Sequence, residues 1–292
     1  MTPLRQPDAQ GAAAGNPLLR GEVELGEAHF ARIAAVAKRE AGLHLPLAKG
    51  TLVRSRLTKR LRVLGLTSFD DYCRLIESED GKAEFEGMIE ALTTNVTSFF
   101  RESHHFDDLR ERVLPRLADT ARKGGRVRLW SAGCSTGAEP YSIALCLLEA
   151  LPQAGELDVK ILATDIDRKA LAQASAGVYP ADAVEGAVPA PMRRHILSAE
   201  GGRARMSDAV KGLVTVRMLN FTKPWPVKGR FDVIFCRNVV IYFDNDLTQR
   251  VWSGFARLIP TGGRLFVGHS ERVTGAAASL FTGCGVTSYE RS

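Results

Sequence analysis

The sequence predicts an α/β protein in which a small helical domain precedes a mostly parallel sheet. Three observations lead there. Early in the chain apolar residues recur at helical spacing, as in Phe30, Ile33, Ala34 and Ala37. Beyond residue 126 short apolar runs alternate with helical stretches, which is how βαβ units read in a sequence. A Gly-rich turn, Gly133-Cys134-Ser135-Thr136-Gly137, joins the first of those runs to a helix.

The elements follow in order. Residues 1–20 lack the apolar core of a signal peptide and are rich in Ala, Gly, Pro and Gln, so 1–27 is expected to be a disordered tail. Residues 28–92 form the helical domain. Its helices are expected over 27–41, over 47–64 on the apolar positions Val53, Leu57, Leu61 and Leu64, from Ser68-Phe69-Asp70-Asp71, and over 83–92. A linker with a connecting helix covers 93–125, and 126–292 is the sheet domain. Strands are expected over 127–130, 159–165, 213–218, 231–236 and 263–268, with helices over 141–151, 168–176 and 248–258. The Gly-broken stretch 280–289 reads as an antiparallel edge hairpin. Residues 178–211, rich in Pro, Gly, Ala and Arg, are too long for a simple connection and are read as an inserted subdomain.

Composition narrows the function classes. A chain of 292 residues, 45% hydrophobic and 25% charged, suffices for one large domain and one small one. No apolar run approaches the roughly 20 residues that span a bilayer, so a soluble, cytoplasmic protein is expected. Cys73, Cys134, Cys146, Cys236 and Cys284 are scattered without a CxxC pair; buried thiols are expected, with no disulfide framework and no metal site. The net charge of +6 invites a polyanionic partner. Lys49, Arg56, Lys59 and Arg60 fall in one stripe of a stretch, 49–62, that has no acidic residue. They read as a docking face, against the plainer reading of a solvated helix surface. The stretch has no exposed stacking aromatics, which speaks against nucleic acid.

Four segments carry chemistry. Small residues in the Gly-rich turn let backbone approach a ligand, and the absence of a following Gly-Lys-Ser/Thr excludes a P-loop. Asp165 ends the second strand, where an acidic residue accepts the ribose hydroxyls of an adenosine; Asp167 reads instead as a helix cap. Arg237-Asn238 interrupts an apolar run at the carboxyl end of a strand, where open α/β sheets bind ligands. Asn95, Thr97 and Arg101 supply donors for a carboxylate. His104, His105 and His269 read as structural.

At these segments the sequence resembles the chemotaxis protein-glutamate O-methyltransferase (CheR) family. The likeness rests on Asn95 to Arg101 (NVTSFFR), Ser135 to Tyr141 (STGAEPY), Ala163 to Asp167 (ATDID), Phe235 to Phe243 (FCRNVVIYF) and Gly268 to Glu271 (GHSE), in that order. It implies a Rossmann-like S-adenosylmethionine-dependent methyltransferase sheet with a small N-terminal helical domain and a small inserted β-subdomain. It further implies that Asn95, Thr97, Arg101 and Glu139 contact the methionine part of S-adenosylmethionine. Asp165 would hold the ribose, and Asn220 and Phe221 would flank the adenine. Arg237 and Asn238 would line the pocket, and Tyr242 would sit beside the transferring methyl, with Arg237 and Tyr242 orienting the incoming carboxylate. The implied partners are the helical bundle of a chemoreceptor and, through 178–211, the receptor's C-terminal peptide; S-adenosylhomocysteine is the implied product. Other readings are an RNA methyltransferase, an NAD oxidoreductase, for which the gap from Gly137 to Asp165 is long, and a non-catalytic S-adenosylmethionine sensor.

Overall fold

A computed structural model describes residues 23–292; most of the expected tail, 1–22, lies outside the described residues. Contacts divide the chain into two compact units, one of residues up to 33 together with 46–92, the other of 34–45 together with 93–292. Helix α1 (Glu27–Ala41) therefore opens in the first unit, while its second half groups with the sheet.

The first unit contains α2 (Gly50–Leu64), α3 (Phe69–Glu77) and α4 (Lys82–Leu92). Val53, Leu57 and Leu61 lie one turn apart on α2 and are buried, as are Phe69, Tyr72 and Cys73 of α3 and Met88 of α4. Each large side chain so buried contributes about 1.5–3 kcal/mol. Ser68 caps α3 by accepting the Asp71 N–H at 3.1 Å, and Gly65 ends α2 in the left-handed region. The basic stripe is less free than the sequence suggests. Arg60 forks the carboxylate of Glu84, at 3.0 and 2.5 Å, and Glu84 also accepts from the Tyr72 hydroxyl. Arg56 donates to the carbonyls of Ala91 and Leu92. Partners distant in sequence thus tie two of the four expected docking residues, while Lys59 is exposed.

The second unit is built on a seven-stranded sheet. After α5 (His104–Asp108), a π-helical turn (Leu109–Val113) and α6 (Leu114–Arg122), the elements run β1 (Val127–Ala132), α7 (Ala138–Ala150), β2 (Val159–Asp165) and α8 (Arg168–Ala176). A small antiparallel sheet follows: β3 (Val178–Pro180), β4 (Ile196–Ala199) and β5 (Arg203–Met206), with α9 (Ala181–Glu185) inside it and α10 (Asp208–Leu213) after it. The main sheet resumes with β6 (Val214–Met218), β7 (Val233–Cys236), α11 (Asn245–Leu258), β8 (Arg264–Val267) and the hairpin β9 (Phe281–Gly285) and β10 (Ser288–Arg291). The strand order is β6-β2-β1-β7-β8-β10-β9; the first five are parallel and the hairpin is antiparallel.

Alternation along the strands fills both faces. Leu129, Val233, Phe235 and Phe266 enter one core with α6 and α7, while Trp130, Ile234, Cys236 and Leu265 enter the other with Trp252 and Phe255 of α11. The chain crosses from one half of the sheet to the other between β1 and β7. The connections leaving their carboxyl ends run to opposite faces, toward α7 and toward α11, which leaves the crevice in which such sheets bind ligands. Cys73, Cys134, Cys146 and Cys236 are buried and burial pushes their thiols up; Cys284 departs from the expectation and is half-buried. Among the described residues no helix is long and apolar enough to cross a membrane.

Candidate cofactor site

At the carboxyl ends of β1, β2 and β7 lies a cavity of about 220 Å³ measured to solvent centres. That is more than ten times what one water needs, so an organic ligand fits the space. Asn95, Thr97, Arg101, Glu139, Asp165, Phe221, Arg237, Asn238 and Tyr242 all line it.

Two glycines let the turn beside the cavity pack closely against its neighbours. Gly133 has φ +97°, and a Cβ there would lie 2.2 Å from a Val239 methyl; Gly137 has φ +96°, and a Cβ would lie 2.7 Å from the Tyr179 hydroxyl. Between them the Ser135 N–H donates to Asp165 Oδ2 at 2.7 Å, while Asp165 Oδ1 accepts the Asp167 N–H at 3.0 Å. The carboxylate is thereby fixed, with lone pairs left over for hydroxyl donors. Burial raises the Asp165 pKa, against these backbone bonds. Asp167 caps α8 through the Ala170 N–H and also accepts from the Asn95 amide at 2.6 Å, so its second oxygen anchors the 93–98 segment.

A buried ionic cluster forms the floor. Glu139 accepts from the Ser131 hydroxyl at 2.6 Å and from Arg237 at 3.1 Å. Arg237, whose side chain is 3% exposed, also approaches Glu102 at 3.4 Å and donates to the Arg101 carbonyl. Burial pushes the Glu139 pKa up, and the Arg237 charge opposes it. Two carboxylates facing one guanidinium leave the cluster one negative charge in excess, which favours a cationic ligand. Arg237 Nε is buried without a protein partner, a donor that a bound group would satisfy. Glu102, His104 and His105 bring ligand atoms within 4.8 Å of one another, but the Arg237 guanidinium already brings a positive charge to Glu102. His105 is buried, with Nε2 2.8 Å from the Thr287 hydroxyl and Nδ1 3.6 Å from Glu102. Burial and the nearby Arg237 charge lower its pKa to about 3, which keeps the ring neutral.

Two residues depart from the sequence reading. Asn220 stands behind the wall: its amide donates to the Glu40 carbonyl at 2.6 Å and its oxygen accepts the Thr222 N–H at 2.9 Å. The apolar wall itself is Leu219 and Phe221, the latter packed edge-on against Trp225. Glu271 has a structural part that the sequence reading did not assign. Its carboxylate accepts the N–H groups of Asn238, Val239, Val240 and Gly268 at 2.6–2.9 Å. It thus pins a loop whose Asn238 holds a left-handed φ of +59°, and from which Val240–Tyr242 turns into the cavity. The only sequence signal was a carboxylate two residues after a histidine in an otherwise small-residue turn. Nothing local to that turn names partners about thirty residues upstream.

Comparison with known proteins agrees along nearly the whole described chain. Residues 95–289 match the family model "CheR methyltransferase, SAM binding domain", and 28–93 match "CheR methyltransferase, all-alpha domain". The chain belongs to the CheR methyltransferase family. Among its relatives, the probable chemotaxis protein methyltransferase of Rhizobium etli is 51% identical over 253 residues, covering 86% of this chain and 94% of that one. The chemotaxis protein methyltransferase of Escherichia coli is 42% identical, covering 85% of each. Among solved structures, the N-methyltransferase NodS of Bradyrhizobium japonicum in complex with S-adenosyl-L-homocysteine shares 14% identity at a TM-score of 0.29, over 54% of this chain and 61% of that one. A likeness that loose adds no argument. Family membership makes this chain an S-adenosylmethionine-dependent chemotaxis methyltransferase, and the cavity suits the cofactor: space for an organic ligand, a fixed carboxylate, and an anionic floor with an unmet donor.

Proposed function

We propose that the protein transfers the methyl group of S-adenosylmethionine to glutamate side chains of chemoreceptors in the cytoplasm, forming glutamyl methyl esters. One observation carries this reading. Among the described residues no histidine or cysteine lines the cavity, and the two carboxylates that do, Glu139 and Asp165, are held by Ser131, Arg237 and backbone N–H groups. A site without a free base suits an acceptor that arrives already nucleophilic. A glutamate, ionised above about pH 4.3, is such an acceptor; an amine or an alcohol must lose a proton.

Bound S-adenosylmethionine supplies a methyl already activated on a sulfonium. The chain's part is to bind, align and exclude water. Asp165 accepts from the ribose hydroxyls, and Leu219 and Phe221 face the adenine, with Asn220 holding that wall from behind. Glu139 takes the ammonium, while Asn95, Thr97 and Arg101 take the methionine carboxylate. Asn238 shapes the pocket. The fixed Arg237 guanidinium and the Tyr242 hydroxyl orient the incoming glutamate. The helical unit, residues 28–92, meets the receptor bundle. Lys49 and Lys59 supply most of the charge on that face, with Arg56 and Arg60 serving chiefly to hold it.

The test uses methyl-labelled S-adenosylmethionine and a chemoreceptor cytoplasmic fragment from the same cell. Label should enter the fragment and be released as methanol by mild alkali. Label that resists alkali, or cofactor binding with no labelled fragment, would refute glutamyl ester formation. Tyr242→Phe should lower turnover with cofactor affinity intact; unchanged turnover would remove Tyr242 from the role given to it.

A further inference from the structure

The net charge of +6 is not accounted for by the helical unit, where partners tie Arg56 and Arg60. Much of it lies on the sheet unit, in three adjoining depressions, the first of which backs onto the cofactor cavity at Phe221. The first is lined by Arg250 and Arg257, which are seven residues apart on α11 and so on one face of the helix. The second shares Arg257 with the first and adds Arg230 and Arg291. The third shares Arg230 with the second and adds Arg126 and Lys160, beside the amino ends of β1 and β2. Arg257 and Arg230, each lining two of them, set the three depressions in a row, a basic groove along this surface.

Among the described residues no aspartate or glutamate lines any of the three. Asp158, close by, is taken by Arg128 at 2.5 Å. Arg126, Lys160, Arg230, Arg250 and Arg257 are exposed, and no ion pair holds Arg230, Arg250 or Arg257 among the described residues. Like charges gathered without counter-charges repel one another, so the arrangement costs stability unless something anionic answers it. The floor is not polar. Ile259, Ala277 and Leu280 line the second depression, and Trp225, Val227 and Leu258 the first. Trp225 is half-buried, its ring against Phe255.

We propose that this groove docks an acidic protein segment whose carboxylates alternate with apolar side chains. The arginines meet the carboxylates with forked, charge-assisted bonds, and the apolar side chains enter the floor. A phosphate backbone would meet the rim but leave the floor empty. The surface meets the cofactor cavity at Phe221, which lines both, but its use does not depend on the methylating activity.

The test uses the full chain and short fluorescent peptides. A peptide of glutamates interspersed with leucines should bind, more weakly as salt rises, and the double variant Arg230→Glu/Arg257→Glu should weaken it about tenfold or more. Cofactor affinity should stay unchanged in that variant, since neither residue lines the cofactor cavity. Arg250→Glu, at an exposed helix position, should weaken the peptide independently and guards against misfolding of the double variant. The proposal fails if the peptide does not bind or if both variants bind it as the parent does. It fails equally if replacing the leucines by serines changes nothing, or if phosphatidylglycerol vesicles or a single-stranded oligonucleotide bind the groove more tightly than the peptide.

Discussion

The two ends of the sheet handle charge in opposite ways. At the carboxyl ends, Glu139, Arg237, Asp165 and Glu271 are buried or nearly so, and each is held by several partners. At the amino ends, Arg126, Lys160 and Arg230 stand in solvent with few or none. The chemistry of the side chains is similar; their surroundings differ. A buried charge is costly to strand, so removing one partner there has a large effect. An exposed charge is screened and adjustable, so its removal barely affects folding and matters only when a counter-charge arrives.

That contrast ranks the experiments. Glu139→Ala leaves Arg237 buried with Glu102 as its remaining carboxylate, at 3.4 Å; a loss of about 3 kcal/mol in chemical denaturation is expected, with cofactor binding by calorimetry near abolished. A variant as stable as the parent would end the claim that the floor is a tightly coupled ionic cluster. Next is Glu271→Ala, which strips one acceptor group from four backbone N–H donors. It should cost about 2–3 kcal/mol. Glu271→Gln, which keeps one oxygen, should fall between, with cofactor affinity following the same order.

Acid should act through His105. Its folded pKa, about 3, lies below the ordinary value of 6.5, so the unfolded chain binds the proton first. Stability from this group is therefore flat above about pH 6.5 and falls as pH drops toward 3, by about 2 kcal/mol at pH 5. Denaturation curves between pH 5 and 8 should show that slope, and His105→Gln should flatten it. The smallest effect belongs to the other end of the sheet: Arg250→Ala or Arg257→Ala should change stability by no more than about 0.5 kcal/mol. A loss several times larger would mean that the groove's arginines have intramolecular work to do.

The sequence displays some of this and conceals the rest for physical reasons. Runs such as Phe231 to Cys236 announce a buried strand because apolar and β-branched residues fit a sheet covered on both faces, and the strand occupies Val233–Cys236. The Gly-broken end of the chain forms the antiparallel hairpin, Phe281–Gly285 and Ser288–Arg291. Side-chain pairing across long separations is another matter. Arg60 looks like free charge because Glu84 lies 24 residues on, and Asn220 looks like a ligand contact because its partner, the Glu40 carbonyl, lies 180 residues back. Glu271 was legible only as part of a short motif. Its hydrogen bonds go to backbone, which carries no residue-specific signal.

Glu271 also bears on the order in which the protein comes into being. A chain emerging from the ribosome has all of β1, β2, β6 and β7 before residue 271 is made, so the parallel half of the sheet is in hand while the loop at Asn238 has nothing to hold it. His105 waits longer still, for Thr287. The cavity is therefore completed only once residues 271 and 287 have been made. A nascent chain that stops short of residue 271 carries the strands of the parallel sheet without the carboxylate that pins the Asn238 loop.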